Sequence, residues 1–444
     1  MVAQAPEPVV APGVPYVSAV DPGIYVDPAV FAEEKKNIFS RTWIFLGHTS
    51  EVPRKGSFVT RRLLDDNIII VRGKDLQVRA FYNVCRHRGM QVCRADDGET
   101  KRFTCPYHGW LYDIDGKLTS LPLEKPYFGE EGLDRPNLGL KPLERFAEYK
   151  GLLFGSISAE GESLEEFLGD FAWYLDIYLD RYPGGMEVIG EPQRWRVPCN
   201  WKIPSENLMG DTYHVQYTHR SVAEIGLHPN KPQDFGASGK RNGVHIDAGR
   251  GTTGLTRQTP QGRGYPDEMV EVFKQHMPEG PRDLIFGEGN DYWPSRAHLW
   301  PNFSMLGAGA QVAEDDLVPY LFIRTWVPID HETTEIWSWV LVEKEAPAEF
   351  KEKSMRAYTL TFGPAGTEEV DDAENFASMM RVMKGAGGRR INQILEMGTP
   401  EQMDDYVIRD WPGPGTAIST SYSDAGNRRF HHLWNTAMGR EEAK

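Results

Sequence analysis

Cys85, His87, Cys105 and His108 are residue types that bind metals, and they come in two short frames. The frames read Cys85-Arg86-His87-Arg88-Gly89 and Cys105-Pro106-Tyr107-His108-Gly109-Trp110. Each offers one thiolate and one imidazole. Structural zinc sites group like ligands, as C-x2-4-C and H-x3-5-H. The mixed order Cys-x-His and Cys-x2-His instead suits a [2Fe–2S] cluster with two cysteines on one iron and two histidines on the other. Neutral imidazoles in place of two thiolates raise the reduction potential into a range suited to passing electrons onward.

A second constellation lies further along, in Glu206-Asn207-Leu208-Met209-Gly210-Asp211-Thr212-Tyr213-His214, with His219 just beyond. Two histidines and one carboxylate hold non-haem Fe(II) and leave positions open for dioxygen. His214 and His219 are the candidate pair. Five residues apart, they would stand about 140° apart on an ideal helix. That is poor for a shared face, so the helix expected over 205–220 should be distorted, as by a π-bulge of the kind found at functional sites. Asp211 precedes His214 by three residues, which on a helix puts both on one face; its carboxylate could orient the imidazole. An isolated H-x4-H is more often a helix with two satisfied histidines, but the cluster frames upstream favour the metal reading. The third ligand must come from elsewhere. Thr361–Asp372 supplies the adjacent pair Asp371 and Asp372, between which spacing does not choose. Glu368 and Glu369 suit an acidic, solvated helix better.

Together these frames resemble the large (alpha) subunit of the Rieske non-haem iron aromatic-ring-hydroxylating dioxygenases, in the naphthalene dioxygenase branch, from roughly residue 35 to residue 435. Respiratory Rieske proteins carry an extra cysteine in each loop, and those positions are Met90 and Tyr107 here. The resemblance implies one Rieske cluster on Cys85, His87, Cys105 and His108, and one mononuclear Fe(II) on His214, His219 and Asp372. It implies that both atoms of O2 enter an aromatic ring to give a cis-dihydrodiol. NAD(P)H would supply the electrons through a separate reductase and ferredoxin. Asp211 and Asn207 are the implied catalytic residues, with Asp211 bridging His214 to a neighbouring subunit's His108. The active unit would then be an α3 trimer, or α3β3 with a small second subunit. Leu208, Val215, Leu306 and Phe362, with Asn207, match positions lining the substrate pocket. Glu368 departs from the pattern, since close relatives carry a bulky aromatic there. Lys240, Arg241, Arg250, Arg257 and Arg263 could meet a substrate carboxylate, although a solvated basic loop explains them as well. The runner-up function is a Rieske monooxygenase or demethylase acting on an aromatic acid. A non-catalytic Rieske carrier would need only one domain of ~100–150 residues and no iron triad.

The chain has 444 residues, too many for one ordinary domain, and 40% are hydrophobic, enough for a large core. Its net charge of −15 disfavours nucleic acid and anionic membranes as partners. No apolar run approaches the length of a transmembrane helix, and the first residues lack the pattern of a secretory signal. Of the four cysteines, Cys93 and Cys199 remain as buried reduced thiols, which fits a cytoplasmic location.

The elements that must position these residues follow from periodicity. Residues 1–18 form an extended or disordered lead-in. Asp27-Pro28 caps a first helix. Strands are expected at 58–60, 67–71 and 77–81, and a paired couple at 320–326 and 335–342. A capping box at Ser163-Leu164-Glu165-Glu166 opens a helix through about Leu179. The stretch 227–263 reads as an irregular lid over the active site, in preference to a disordered loop, and a long helix from about Pro347 carries both Phe362 and Asp372. The fold class is α+β. A small all-β Rieske domain, 42–160, is inserted into a catalytic mononuclear iron domain, 19–41 and 161–444, with an antiparallel sheet flanked by helices.

Overall fold

The computed structural model describes residues 17–129, 133, 135–228, 243–289, 292–313, 316–420 and 422–440. The lead-in over 1–18 lies outside these residues except for its last two positions. The chain forms two compact units: Phe39–Leu164, and a larger one from the segments on either side of it.

The smaller unit is built from short antiparallel sheets. In one, Val78–Tyr82, Asp66–Arg72, Ser57–Leu63 and Asp97–Glu99 lie side by side in that order. Ile68-Ile69-Ile70-Val71 is a run of β-branched residues, stiff at χ1 and suited to a pleated strand, and all four are completely buried. A second sheet joins Arg102–Thr104, Leu111–Asp113 and Leu118–Ser120, and a third joins Arg145–Tyr149, Leu152–Ser156 and Ile44–His48. Phe58, Ile69, Val71, Phe81, Phe103 and Tyr112 form a core that includes Cys85 and Cys105. Each buried large apolar side chain contributes roughly 1.5–3 kcal/mol, so the cysteines sit on the best-anchored part of the unit.

The larger unit centres on an eight-stranded antiparallel sheet. Its order is Met186–Val197, Thr334–Glu343, Asp316–Pro328, Phe303–Ala313, Tyr292–Leu299, Gly251–Arg257, Gly243–Ala248 and Thr416–Ile418. The strand couple read at 320–326 and 335–342 is present, paired as Thr325↔Trp337. Helix Lys202–Gly210 packs on the middle strands and against helix Ala425–Met438, and helix Ala348–Thr361 lies on Asp316–Pro328. The result is the α+β organisation read from the sequence.

Three element expectations need correction. The capping-box helix is two helices, Leu164–Leu168 and Phe171–Leu179, with Gly169 at φ +49 between them. The long helix from Pro347 is also two, Ala348–Thr361 and Thr367–Lys384. Pro364 between them cannot continue a helical ladder. Gly366 turns so tightly that a Cβ there would stand 2.2 Å from the Thr361 carbonyl oxygen. Phe362 therefore ends one helix and Asp372 belongs to the next. Finally, 243–257 is not an irregular lid but a hairpin within the sheet. Its polar residues concealed a strand because His245, Asp247, Thr252 and Thr253 are themselves buried. Within that stretch, residues 229–242 lie outside the described residues.

Candidate metal centres and substrate pocket

The two cysteine frames fold into the same turn. The Cys85 amide donates to the Met90 carbonyl at 2.8 Å and the Gly89 amide to the Cys85 carbonyl at 3.0 Å. In the second loop the Cys105 amide donates to Trp110 at 2.8 Å and the Gly109 amide to Cys105 at 3.0 Å. Gly89 and Gly109 hold φ of +73 and +70, a region only glycine enters cheaply. The loops bring both cysteines inside, each 2% exposed, and hold the imidazoles nearer the surface. His87 Nδ1 and His108 Nδ1 converge at 3.1 Å, and the His87 ring stacks on Trp110 with centroids 5.0 Å apart. The Tyr112 hydroxyl stands 3.3 Å from Cys85 Sγ and accepts from the Arg86 amide at 3.1 Å. Burial pushes the Cys85 thiol up, and the neighbouring Cys105 adds to this. Two buried thiols and two converging nitrogens fit a cluster that takes thiolates at one end and imidazoles at the other.

In the larger unit, helix Lys202–Gly210 stops at Asp211. There is no continuous helix over 205–220 and no π-bulge. The chain turns through Asp211, Thr212 and Tyr213, and a single helical turn, Val215–Thr218, then separates His214 from His219. The break, not a distorted helix, brings the two imidazoles together. Arg296 supports it by donating to the Met209 carbonyl at 3.1 Å and to Thr212 Oγ1 at 2.9 Å. The close crossing of Gly210 with Gly426 fixes the helix end, since a Cβ on Gly210 would meet Gly426 Cα at 2.6 Å.

His214, His219 and Asp372 present one ligand atom each, all within 4.8 Å of one another. Asp372 Oδ1 is 3.5 Å from His214 Nε2 and 3.4 Å from His219 Nε2. The adjacent Asp371 lies behind the group, its Oδ2 3.5 Å from His219 Nδ1. On the far side of His214, Nδ1 lies 3.5 Å from Asp211 Oδ1 and 3.2 Å from Asn207 Nδ2. Asp211 also accepts from the His214 amide at 3.2 Å. It therefore reaches His214 through a turn, not along a shared helical face. Burial lowers His219 to about 3. For His214 burial acts downward too, but the hydrogen bond to Asp211 and the charges of Asp372 and Asp211 outweigh it and raise the group to about 9. Burial lifts Asp372 to about 7, and burial with Asp372 and Asp371 lifts Glu368 to about 8.

Beside this group lies an aromatic cluster of Tyr320, Phe322, Tyr358 and Phe362, with Leu306 and Ala308 packed against it while keeping some accessible surface. Phe362 and His219 ring centroids are 6.5 Å apart. Leu306 and Phe362 thus share one wall. Leu208, 7% exposed, and half-buried Asn207 belong to helix Lys202–Gly210, and half-buried Val215 stands between the two histidines. Sequence reading missed Tyr320 and Ala308, and also Arg324, whose guanidinium donates to Glu369 Oε2 at 2.7 Å and to the Phe362 carbonyl at 2.6 Å. Strand periodicity alone marks Tyr320 and Arg324 as inward-facing. Glu368 and Glu369 are not solvated: they are 6% and 2% exposed. Of the basic residues, Lys240 and Arg241 lie outside the described residues. Arg250 covers Phe167 at 5.3 Å, Arg257 stacks on Tyr292 at 4.8 Å, and Arg263 donates to Thr256 Oγ1 at 2.5 Å.

Comparison with known proteins decides the family. The Rieske [2Fe-2S] domain matches residues 42–143, and the ring hydroxylating alpha subunit catalytic domain matches 164–440. The chain belongs to the Rieske ring-hydroxylating dioxygenase large subunits. It is 34% identical over 428 residues to biphenyl dioxygenase subunit alpha of Metapseudomonas furukawaii, covering 94% of this chain and 90% of that one. It is also 34% identical over 427 residues to the large oxygenase component of the Pseudomonas aeruginosa naphthalene 1,2-dioxygenase system, covering 93% and 89%. Among solved structures, naphthalene 1,2-dioxygenase from Rhodococcus sp. bound to indole superposes with a TM-score of 0.86 at 35% identity, over 95% of this chain and 94% of that one.

This dioxygenase large subunit is therefore a terminal oxygenase that hydroxylates an aromatic ring, with a Rieske cluster and a mononuclear iron. The donor set fits Fe(II): two imidazoles and one carboxylate would hold it, a set that leaves positions for dioxygen. Crowded carboxyls that resist ionisation by themselves are what a divalent cation would relieve. No helix among the described residues is long and apolar enough to cross a membrane.

Proposed function

We propose that this oxygenase adds both atoms of O2 to neighbouring carbons of an aromatic substrate, giving a cis-dihydrodiol. The observation that carries the reading is the His214, His219 and Asp372 group beside a wall of Phe362, Leu306 and Tyr320. His214, His219 and Asp372 would hold Fe(II), which when bound supplies the site where dioxygen is reduced. Cys85, His87, Cys105 and His108, in a domain spanning about 42–160, would hold the cluster that relays electrons from NAD(P)H through a reductase and ferredoxin. Asn207 and Asp211 orient the His214 imidazole. Phe362 and Leu306, with Leu208 and Val215, exclude water and hold the ring flat. Asp211 would also couple His214 to a neighbouring subunit's His108, which makes the active unit an α3 or α3β3 trimer in the cytoplasm.

The test is product analysis under 18O2 with the purified oxygenase, ferredoxin and reductase. A cis-diol carrying two labelled oxygens is expected. A phenol or an aldehyde with one labelled oxygen would replace this reading with a monooxygenase or demethylase.

A further inference from the structure

Glu368 is only 6% exposed, yet its carboxyl group has no hydrogen bond or ion pair among the described residues. Its neighbour Glu369 is fully engaged, by Arg324 at 2.7 Å and by Trp195 Nε1 at 2.9 Å. Glu368 precedes Asp372 by one helical turn, so the two side chains share a face. It lies within electrostatic reach of His214 and of the Tyr320 hydroxyl. That hydroxyl already accepts a hydrogen bond from Thr361 Oγ1 at 2.8 Å. Tyr320 itself belongs to the apolar wall with Phe322 and Phe362, against which Leu306 and Ala308 pack. A lone polar group placed on the lining of an apolar pocket fixes what the pocket accepts.

We propose that Glu368 determines specificity by accepting a hydrogen bond from an N–H group of the aromatic substrate, so that the pocket prefers aminoarenes and ring N–H heteroarenes to plain hydrocarbons and aromatic carboxylates. The inference rests on the oxygenase reading of this site. A carboxyl keeps an acceptor oxygen whether or not it is protonated, so an N–H donor satisfies it in either state. A hydrocarbon leaves it buried and unpaired, which is costly. A carboxylate substrate would add negative charge beside Glu368, Asp371 and Asp372. Of the arginines at the site, Arg324 is already held by Glu369.

The test is calorimetric binding to the metal-loaded oxygenase without O2, using aniline, toluene and benzoate, which are similar in shape. Aniline should bind wild type roughly tenfold or more tighter than toluene, because a site built around a hydrogen bond rejects the analogue that lacks it. Benzoate should bind no better than toluene. Glu368→Leu should reverse the aniline preference, whereas Glu368→Gln, whose carbonyl still accepts, should keep it. Iron content and the Rieske absorbance report whether each variant is intact; if the leucine variant loses iron, the wild-type and glutamine rankings decide. Equal binding of toluene and aniline to wild type, or an unchanged ranking in an intact Glu368→Leu, overturns the proposal. So does benzoate binding tightest and losing that advantage in Arg263→Gln. Because binding is read without turnover, failure to form a cis-diol would count against the oxygenation reading alone.

Discussion

Asp371 and Asp372 are neighbours of identical chemistry with different surroundings. Asp372 is 7% exposed and faces both imidazoles, while Asp371 is aimed at the rear of His219. Asp372→Ala should strip the mononuclear iron and abolish turnover while the Rieske spectrum persists. Asp371→Ala should keep most of the iron and lower its affinity by about 10–100-fold, the usual effect of losing a group that orients a ligand. Iron-to-protein ratios in the two variants check this directly. At the cluster, the Tyr112 hydroxyl beside Cys85 Sγ can donate to a ligated thiolate, and hydrogen bonds to cluster sulfurs help set the potential. Tyr112→Phe should lower the reduction potential with the EPR line shape otherwise kept. A potentiometric titration showing no change would remove that hydrogen bond from the account.

At the scale of elements, the iron group depends on breaks between helices more than on the helices themselves. Gly366 lets the chain reverse between the helix ending at Thr361 and the one bearing Asp372. A methyl group there would press on the Thr361 backbone, which has no side-chain freedom to yield. Gly366→Ala should therefore displace the start of the ligand helix, costing about 1–3 kcal/mol. It should lower iron occupancy while leaving the cluster in Phe39–Leu164 spectroscopically intact. Arg324 ties the same junction from the sheet side. Arg324→Met would leave Glu369 buried without its cation, a loss of about 3–5 kcal/mol. A clear drop in thermal midpoint should appear, larger than that of the double variant Arg324→Met with Glu369→Leu.

At the scale of the whole molecule, the question is how electrons reach the mononuclear iron. Asp211 contacts His214 from a turn at the end of Lys202–Gly210, and burial works against its charge, but His214 and Arg296 keep its pKa below the usual value. In the proposed trimer Asp211 would join His214 to a neighbouring subunit's His108, and a carboxylate between two imidazoles is a charge-assisted connection. Asp211→Asn keeps the shape and removes the charge. The variant should retain both metals and its oligomeric state, yet lose nearly all oxygenation. In rapid mixing with O2 and substrate, its reduced cluster should fail to reoxidise at a catalytic rate. Reoxidation at the wild-type rate would take Asp211 off the path.

The ligand types were legible in the sequence because metal chemistry is local. Cys-x-His and Cys-x2-His each sit on one short loop, and no distant contact is needed to recognise them. The same holds for the buried strand Ile68–Val71 and for the paired strands at 320–326 and 335–342, whose apolar or alternating patterns carry their own period. Tertiary structure alone decided the rest. Spacing left Asp371 and Asp372 open and only the family resemblance pointed to Asp372; the physical choice depends on where a helix more than one hundred fifty residues beyond His214 docks, as the numbering itself shows. The hairpin at 243–257 looked like a loop because its buried polar residues find partners on distant elements, as Asp247 does with Arg429 at 2.6 Å. Glu368 and Glu369 looked like solvated helix surface. Both were taken inside, Glu369 to meet Arg324, because burial is a property of the packed molecule and not of the residue.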